Sequence, residues 1–321
     1  VPEIPESYTV IPEVLSATEN IFAAGHLTRP AQGVDLAAVR ACAEVIQKTS
    51  TLDPNGFGNL YFTALANVPS GTPFFPAAFH SGGAPTFAIA TEAADLAVTA
   101  FRSAETLPQA QRKLMASIQS HAEKLTQYAS QLSQTMNVPF GGIDFSLAPF
   151  PTADQSLGTA MQTLGVPRVG LHGSLAAAAL LTDAVDRVDF PRVGFSGLMI
   201  PVLEDVALAE GAASGTLTIK DLLLYSAVCG TGLDTVPLPG DSSVDQIAAV
   251  LLDLAVLAVR LDKPLTARLM PIPGKSAGDE TEFEFDYFAN SRVMSFQAEA
   301  LKGVLRGNDA LYVTPRSGKA G

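Results

Sequence analysis

Five short apolar phrases, Phe57 to Leu65, Thr86 to Ala90, Gly142 to Leu147, Arg192 to Phe195 and Leu265 to Met270, alternate along the chain with helical patterns. Each is bounded by glycine, proline or polar residues. Runs this short and this apolar suit strands buried on both faces of a parallel sheet, and their alternation with helices specifies α/β architecture. Most of them run into polar or Gly-rich residues at their C-terminal ends, where such folds hold their ligands. The chemistry is therefore expected there.

The helices carry their own start signals. Ser243 and Gln246 form a capping box, and Ile247, Val250, Leu251, Leu254, Ala258 and Leu261 follow on one helical stripe. Thr218 and Asp221 repeat the spacing, and the helix they open is expected to reach Cys229, before the Gly230 and Gly232 turn. Leu107 to Met136 lacks glycine and has its one proline in the first turn, so a single long helix is expected. Its apolar residues Leu114, Ile118, Leu125, Leu132 and Met136 stand near heptad spacing. Core packing is the preferred reading of that stripe, and an antiparallel helix pair or a homodimer contact, hence a homo-oligomer, are the alternatives.

At 321 residues and 47% hydrophobic content, the chain is long and apolar enough for one large core, read here as a single domain over residues 1–321. Thirty-two acidic residues against twenty basic ones give a net charge of −12, which repels a nucleic-acid backbone. A small molecule is the expected partner. Cys42 and Cys229 lie far apart in unrelated contexts, so neither a disulfide framework nor a Cys-rich zinc site is expected. The most apolar stretch, Ile247 to Leu261, contains Asp253 and Arg260 and falls short of the roughly 20 residues a membrane span needs. No membrane is expected, and a cytoplasmic location fits best. The chain opens at Val1 inside a Pro-Glu-rich phrase, so a natural start further upstream is expected.

Several familiar motifs fail on inspection. Gly274-Lys275-Ser276 resembles the end of a phosphate-binding loop, but Leu269 stands where its first glycine belongs. Gly230-Thr231-Gly232 starts like a dinucleotide fingerprint, yet Thr235 replaces the third glycine. Gly194-Phe195-Ser196 starts like a nucleophile elbow, with Leu198 in the second glycine position. Cys229 precedes a Gly-rich loop but is expected at a helix C-terminus, where the dipole disfavours a thiolate, so a structural role is preferred. His80 precedes Ser81-Gly82-Gly83, a loop a ligand could approach closely.

The carboxylates are more informative. Asp144 interrupts the phrase Gly142 to Leu147, Glu204 and Asp205 follow Met199 to Leu203, and Asp234 and Asp241 flank Thr235 to Gly240. Carboxylates in such apolar settings must be paired, hydrogen-bonded or coordinated. Each has a structural reading as a helix N-cap, a turn residue or an ion pair with Arg268 or Lys275. The functional reading joins Asp144, Asp234 and Asp241 as acids, bases or ligands of a divalent cation such as Mg²⁺, with Arg268 as the anchor for a substrate anion. His80, Ser196, Glu204 and Lys275 are then the expected ligand-binding residues around them.

The phrases Phe74 to His80, Gly141 to Asp144, Gly194 to Asp205, Cys229 to Asp241 and Ala267 to Asp279 resemble an uncharacterised prokaryotic family. Structural classification groups that family with the pyruvate formate-lyase-like glycyl radical enzymes. The resemblance runs from about Leu15 to near Asn290. It implies a barrel of about ten strands surrounded by helices, lacking in this chain the strands and helices that normally precede Leu15. It does not supply a function. The tail from Leu311 to Gly318 contains no radical-glycine phrase, so radical chemistry is not carried over with the fold. The expected function is an enzyme acting on a small polar or anionic metabolite by carboxylate acid/base chemistry, with metal assistance. The alternatives are a non-catalytic metabolite-binding or assembly protein, and a thiol-dependent enzyme using Cys229.

Overall fold

The computed structural model describes residues 5–29, 33–78 and 82–316. In chain order the regular elements begin with α1 (Ile11–Ser16), β1 (Ala23–His26), β2 (Thr28–Arg29), β3 (Gly33–Asp35), α2 (Leu36–Thr49), β4 (Phe62–Ala66) and β5 (Phe87–Ala90). They continue with α3 (Ala94–Arg102), α4 (Leu107–Met136), β6 (Phe140–Asp144), α5 (Leu157–Thr163), α6 (Ser174–Asp186), α7 (Val206–Ala213) and α8 (Ile219–Ser226). The last are β7 (Gly232–Pro239), α9 (Val244–Leu261), β8 (Leu265–Ile272) and β9 (Ala310–Leu311).

The helix signals act locally, as their chemistry requires. Both capping boxes form, Thr218 with Asp221 on α8 and Ser243 with Gln246 on α9. Thr106 caps α4, whose 30 residues close on Asn137 in the left-handed region at φ 53°. Only one face of α4 is buried, through Ala110, Leu114, Ile118, Ala122 and Ala129, and Tyr128, Leu132 and Met136 are exposed. Helix α8 is shorter than expected and ends at Ser226. The turn after it still coils, because the Cys229 N–H reaches the Tyr225 carbonyl at 2.8 Å.

The principal sheet has the order β1-β4-β8-β7. β1 and β4 are parallel, β7 and β8 are parallel, and β4 meets β8 antiparallel. Strands β4 and β8 are buried along their whole length, and α2 and α9 pack on one another beside them. β5 pairs parallel with β6, and β2, β3 and β9 form a small antiparallel sheet.

The expectation of a barrel of about ten strands is corrected by this topology. Among the described residues the sheets are open, with four, three and two strands, and no pairing closes them into a ring. The physical reason lies in the connecting phrase read as a strand, Arg192 to Phe195. Gly194 and Ser196 take φ +67° and +42° there, which interrupts the extended conformation a ladder needs. The segment makes only single-residue parallel bridges, Ile143 to Arg192, Leu147 to Leu198 and Pro201 to Asp234. Phe57 to Leu65 is also divided: Gly56, at φ +71°, starts a 3-10 helix over Phe57–Tyr61, and only then does β4 begin.

Candidate functional site

β7 and β8 lose register at one point. Leu233 pairs with Ala267 and Val236 with Leu269, so Asp234 and Thr235 on β7 share a bulge opposite Arg268 on β8. An extra residue in a strand kinks it and re-aims side chains, and such bulges concentrate beside functional sites. Thr235 has φ +40°, an unusual conformation for a β-branched residue. Its hydroxyl accepts the Leu203 N–H at 3.3 Å, and the Asp234 carbonyl accepts the Val202 N–H at 3.0 Å. The bulge thereby holds the segment that carries Glu204. Asp205, the next residue, caps α7 and fixes that segment from its other side.

These supports bring three charged side chains together. The Arg268 guanidinium donates through Nε to Asp234 and through Nη2 to Glu204, the latter at 2.8 Å. Side-chain exposure is 9% for Arg268, 3% for Asp234 and 24% for Glu204, so the ion pair is internal and Glu204 faces outward. The Phe75 ring lies over the guanidinium at 5.5 Å from its centroid, within reach of a cation–π contact. Phe22 packs on Phe75 in turn, with centroids 4.7 Å apart.

Burial pushes the Glu204 carboxyl up from its ordinary 4.5 to about 7. Arg268 opposes that rise through its charge and hydrogen bond, while the charges of Asp234 and Glu92 add to it. Burial also disfavours the charge on Arg268, but the Asp234 and Glu204 carboxylates outweigh it and hold its pKa above normal. The arrangement can keep a carboxyl half-protonated near neutrality beside a fixed positive charge. That is the condition a general acid or base needs.

Asp144 belongs to a different constellation. Its Oδ1 accepts the Ser196 N–H at 2.8 Å and the Ser146 hydroxyl at 2.6 Å, and its Oδ2 accepts the Phe195 N–H at 3.0 Å. Ser196 is tied down as well, donating its hydroxyl to the carbonyls of Ile143 and Val193. Together they bind the 194–196 turn to the end of β6. Asp241 is exposed, with no hydrogen bond or ion pair to its side chain among the described residues. Lys275 pairs with Glu282 at 3.1 Å, at the far end of β8. His80 lies outside the described residues. Of the residues read from the sequence, Arg268, Asp234 and Glu204 thus come together, and Asp144 with Ser196 forms a second group. Asp144, Asp234 and Asp241 do not gather as metal ligands, and among the described residues no group of three or more His, Cys, Asp or Glu is placed to hold a metal ion.

Cys229 is buried, and its sulfur accepts the Gly232 N–H at 3.3 Å. It borders an open cleft of about 410 Å³ with Ser196, Gly197 and Lys263. The Lys263 ammonium is engaged by the Cys229 carbonyl, and burial lowers its pKa. Glu92 and Phe75 escape a reading of the sequence. Glu92 stands two residues beyond β5, and the only available signal is its place just past a short apolar phrase. No helix among the described residues is long and apolar enough to cross a membrane.

Comparison with known proteins gives a family without a reaction. Residues 4–290 match the family described as Uncharacterised ACR (DUF711). A UPF0210 protein of Pyrobaculum aerophilum is 37% identical over 278 residues, which cover 83% of this chain and 60% of the relative. Similar UPF0210 proteins come from Desulforudis audaxviator, 36% identical over 85% of this chain and 63% of the relative, and Clostridium botulinum, 33% identical over the same shares. The chain spans about three fifths of the length of the curated relatives it matches. None of these names assigns an activity. With that match running through the bulge, the Arg268 ion pairs and the turn around Asp144, the chain belongs to the uncharacterised DUF711 family.

Proposed function

We propose that this chain carries an acid–base site for a small polar metabolite, in which Glu204 exchanges a proton with the ligand and the Asp234–Arg268 pair supports it. The observation that carries the reading is the Glu204–Arg268–Asp234 chain of ion pairs, built opposite a strand bulge, with the Glu204 carboxyl lifted to about 7. In the forward direction, ionised Glu204 accepts a proton from the ligand. The Arg268 guanidinium then stabilises whatever negative charge the ligand retains, and Glu204 returns the proton to complete the cycle. Asp234 keeps Arg268 oriented and is itself too enclosed to meet the ligand. The reading uses carboxylate and guanidinium groups only, and a relation to glycyl radical enzymes would add no residue to it.

The test is a carbon-13 NMR titration of glutamate side-chain carboxyls in the purified protein, with the Glu204 resonance assigned by its loss in Glu204→Gln. A midpoint near 7 is expected. A midpoint at the ordinary glutamate value would remove the basis of the proposal.

A further inference from the structure

The cleft beside Cys229 holds about 410 Å³, within the roughly 300–1,000 Å³ of ordinary ligand pockets. One of its walls is a face of α6, where Thr182, Asp183 and Asp186 line it; Lys263 and Gly230 also border it. Three of its charged side chains must find partners. Asp183 accepts the Gln111 amide at 2.6 Å and pairs with Arg187 at 3.5 Å, and Asp186 pairs with Arg192 at 3.7 Å. Lys263 has no ion pair among the described residues, and its ammonium is held by the Cys229 carbonyl alone. An ammonium has three N–H donors, so more than one is left for a ligand. Burial disfavours the Lys263 charge, and an anion on Nζ offsets that cost.

Thr182 supplies a second unmet demand. A threonine within a helix commonly bonds the carbonyl four residues back, as Thr126 and Thr163 do at 2.7 and 2.8 Å. The Thr182 oxygen is buried and has no partner among the described residues. Thr231 shares that condition, but only Thr182 lines this cleft. Helical threonine has two accessible χ1 rotamers, so its hydroxyl can exchange places with its methyl and lose no hydrogen bond in doing so. Phe195, Val228 and Pro264 add apolar surface for a short carbon chain.

We infer that this cleft binds a short-chain hydroxy acid, its carboxylate on the Lys263 ammonium and its hydroxyl on Thr182 Oγ1. Glu204, Asp234 and Arg268 do not line it, so this is a second site beyond the acid–base one.

Calorimetric titration of the purified protein at pH 7 with 2-, 3- and 4-hydroxybutyrate, with butyrate and with the amides of the three hydroxy acids tests this directly. The best hydroxybutyrate is expected to bind at least fivefold more tightly than butyrate and at least tenfold more tightly than its own amide. Thr182→Val removes no hydrogen bond from the free protein, so folding is not at stake. It should erase the advantage over butyrate and leave butyrate itself unweakened. Lys263→Met should erase the advantage of the acid over its amide. Butyrate or the amide binding as tightly as the best hydroxybutyrate, a hydroxyl preference that survives Thr182→Val, or binding of none of these compounds would overturn the inference.

Discussion

The Asp144 carboxylate fills the space that a β-carbon on residue 194 would need: such a carbon would lie 2.1 Å from Oδ2 and 2.7 Å from Cγ. Gly194 also has φ +67°, a region that L side chains disfavour. The turn therefore wraps around the carboxylate closely enough for two successive backbone N–H groups to reach it. This explains how a carboxyl group 2% exposed is tolerated with no ion pair among the described residues.

Gly194→Ala is accordingly expected to destabilise the protein by more than the roughly 1–3 kcal/mol typical of a strained backbone position. Asp144→Ala removes the obstructing oxygens. The double variant should thus lose less than the sum of the two single changes, by about 1 kcal/mol or more, as residues in contact do. Urea unfolding of the four proteins measures that coupling, and strict additivity would show that the two positions act independently.

Arg268→Met should cost about 3–5 kcal/mol, the range for breaking a buried ion pair and leaving a charge behind. The charge left behind is Asp234, only 3% exposed. Adding Asp234→Leu should recover part of the loss, since replacing both partners by apolar groups removes the unpaired charge. Denaturant midpoints of the single and double variants test this, and equal losses would place the cost elsewhere.

The raised pKa of Glu204 predicts a definite pH dependence. Its folded value of about 7 lies above the ordinary 4.5, so the folded state holds the proton more tightly than the unfolded state does. The contribution is fully present below pH 4.5 and is lost as pH rises through 7. Thermal unfolding of the wild type should weaken across that window relative to Glu204→Gln, which has no proton to release. Parallel curves for the two proteins would contradict the shift.

Asp205 joins two helices through one carboxylate. Its Oδ1 accepts the N–H groups of Ala207 and Leu208 at the start of α7, and its Oδ2 accepts those of Leu157 and Gly158 at the start of α5. The Ser156 hydroxyl completes the set at 2.7 Å. Asp205→Ala should cost well over the ~1 kcal/mol of a single lost N-cap, because two helix starts and a buried hydroxyl lose their acceptor together. Asp205→Asn should fall between, since its side chain has one oxygen left to accept. Because Glu204 precedes Asp205, both variants should also shift the Glu204 NMR midpoint, and a fixed midpoint would uncouple the cap from the site.

Part of this molecule is legible in the chain itself. The bounds of α4, both capping boxes and the apolar run of β8 depend on residues within a few positions of one another, and local patterns report them faithfully. β7 was hidden by Pro237 and Pro239, which argue against a strand in a sheet interior. It is an edge of the four-stranded sheet, where missing donors are tolerated. Arg268, Asp234 and Glu204 were each recognisable as charges in apolar phrases, but nothing local distinguishes them from Asp144 or Asp241.

The sequence by itself determined which segments are helical, that α and β elements alternate, and that several buried carboxylates would need partners. It did so because helix caps, glycine conformations and the cost of a buried charge are short-range properties. Only the tertiary structure decided which partner each acid found. Asp144 took two backbone N–H groups, Asp205 two helix starts, and Asp234 a guanidinium, and that choice depends on strand register. A one-residue bulge at Asp234 and Thr235 sets the register opposite Arg268, and two positive φ angles at Gly194 and Ser196 interrupt the expected strand. Both depend on contacts between residues far apart in sequence, which no local pattern encodes.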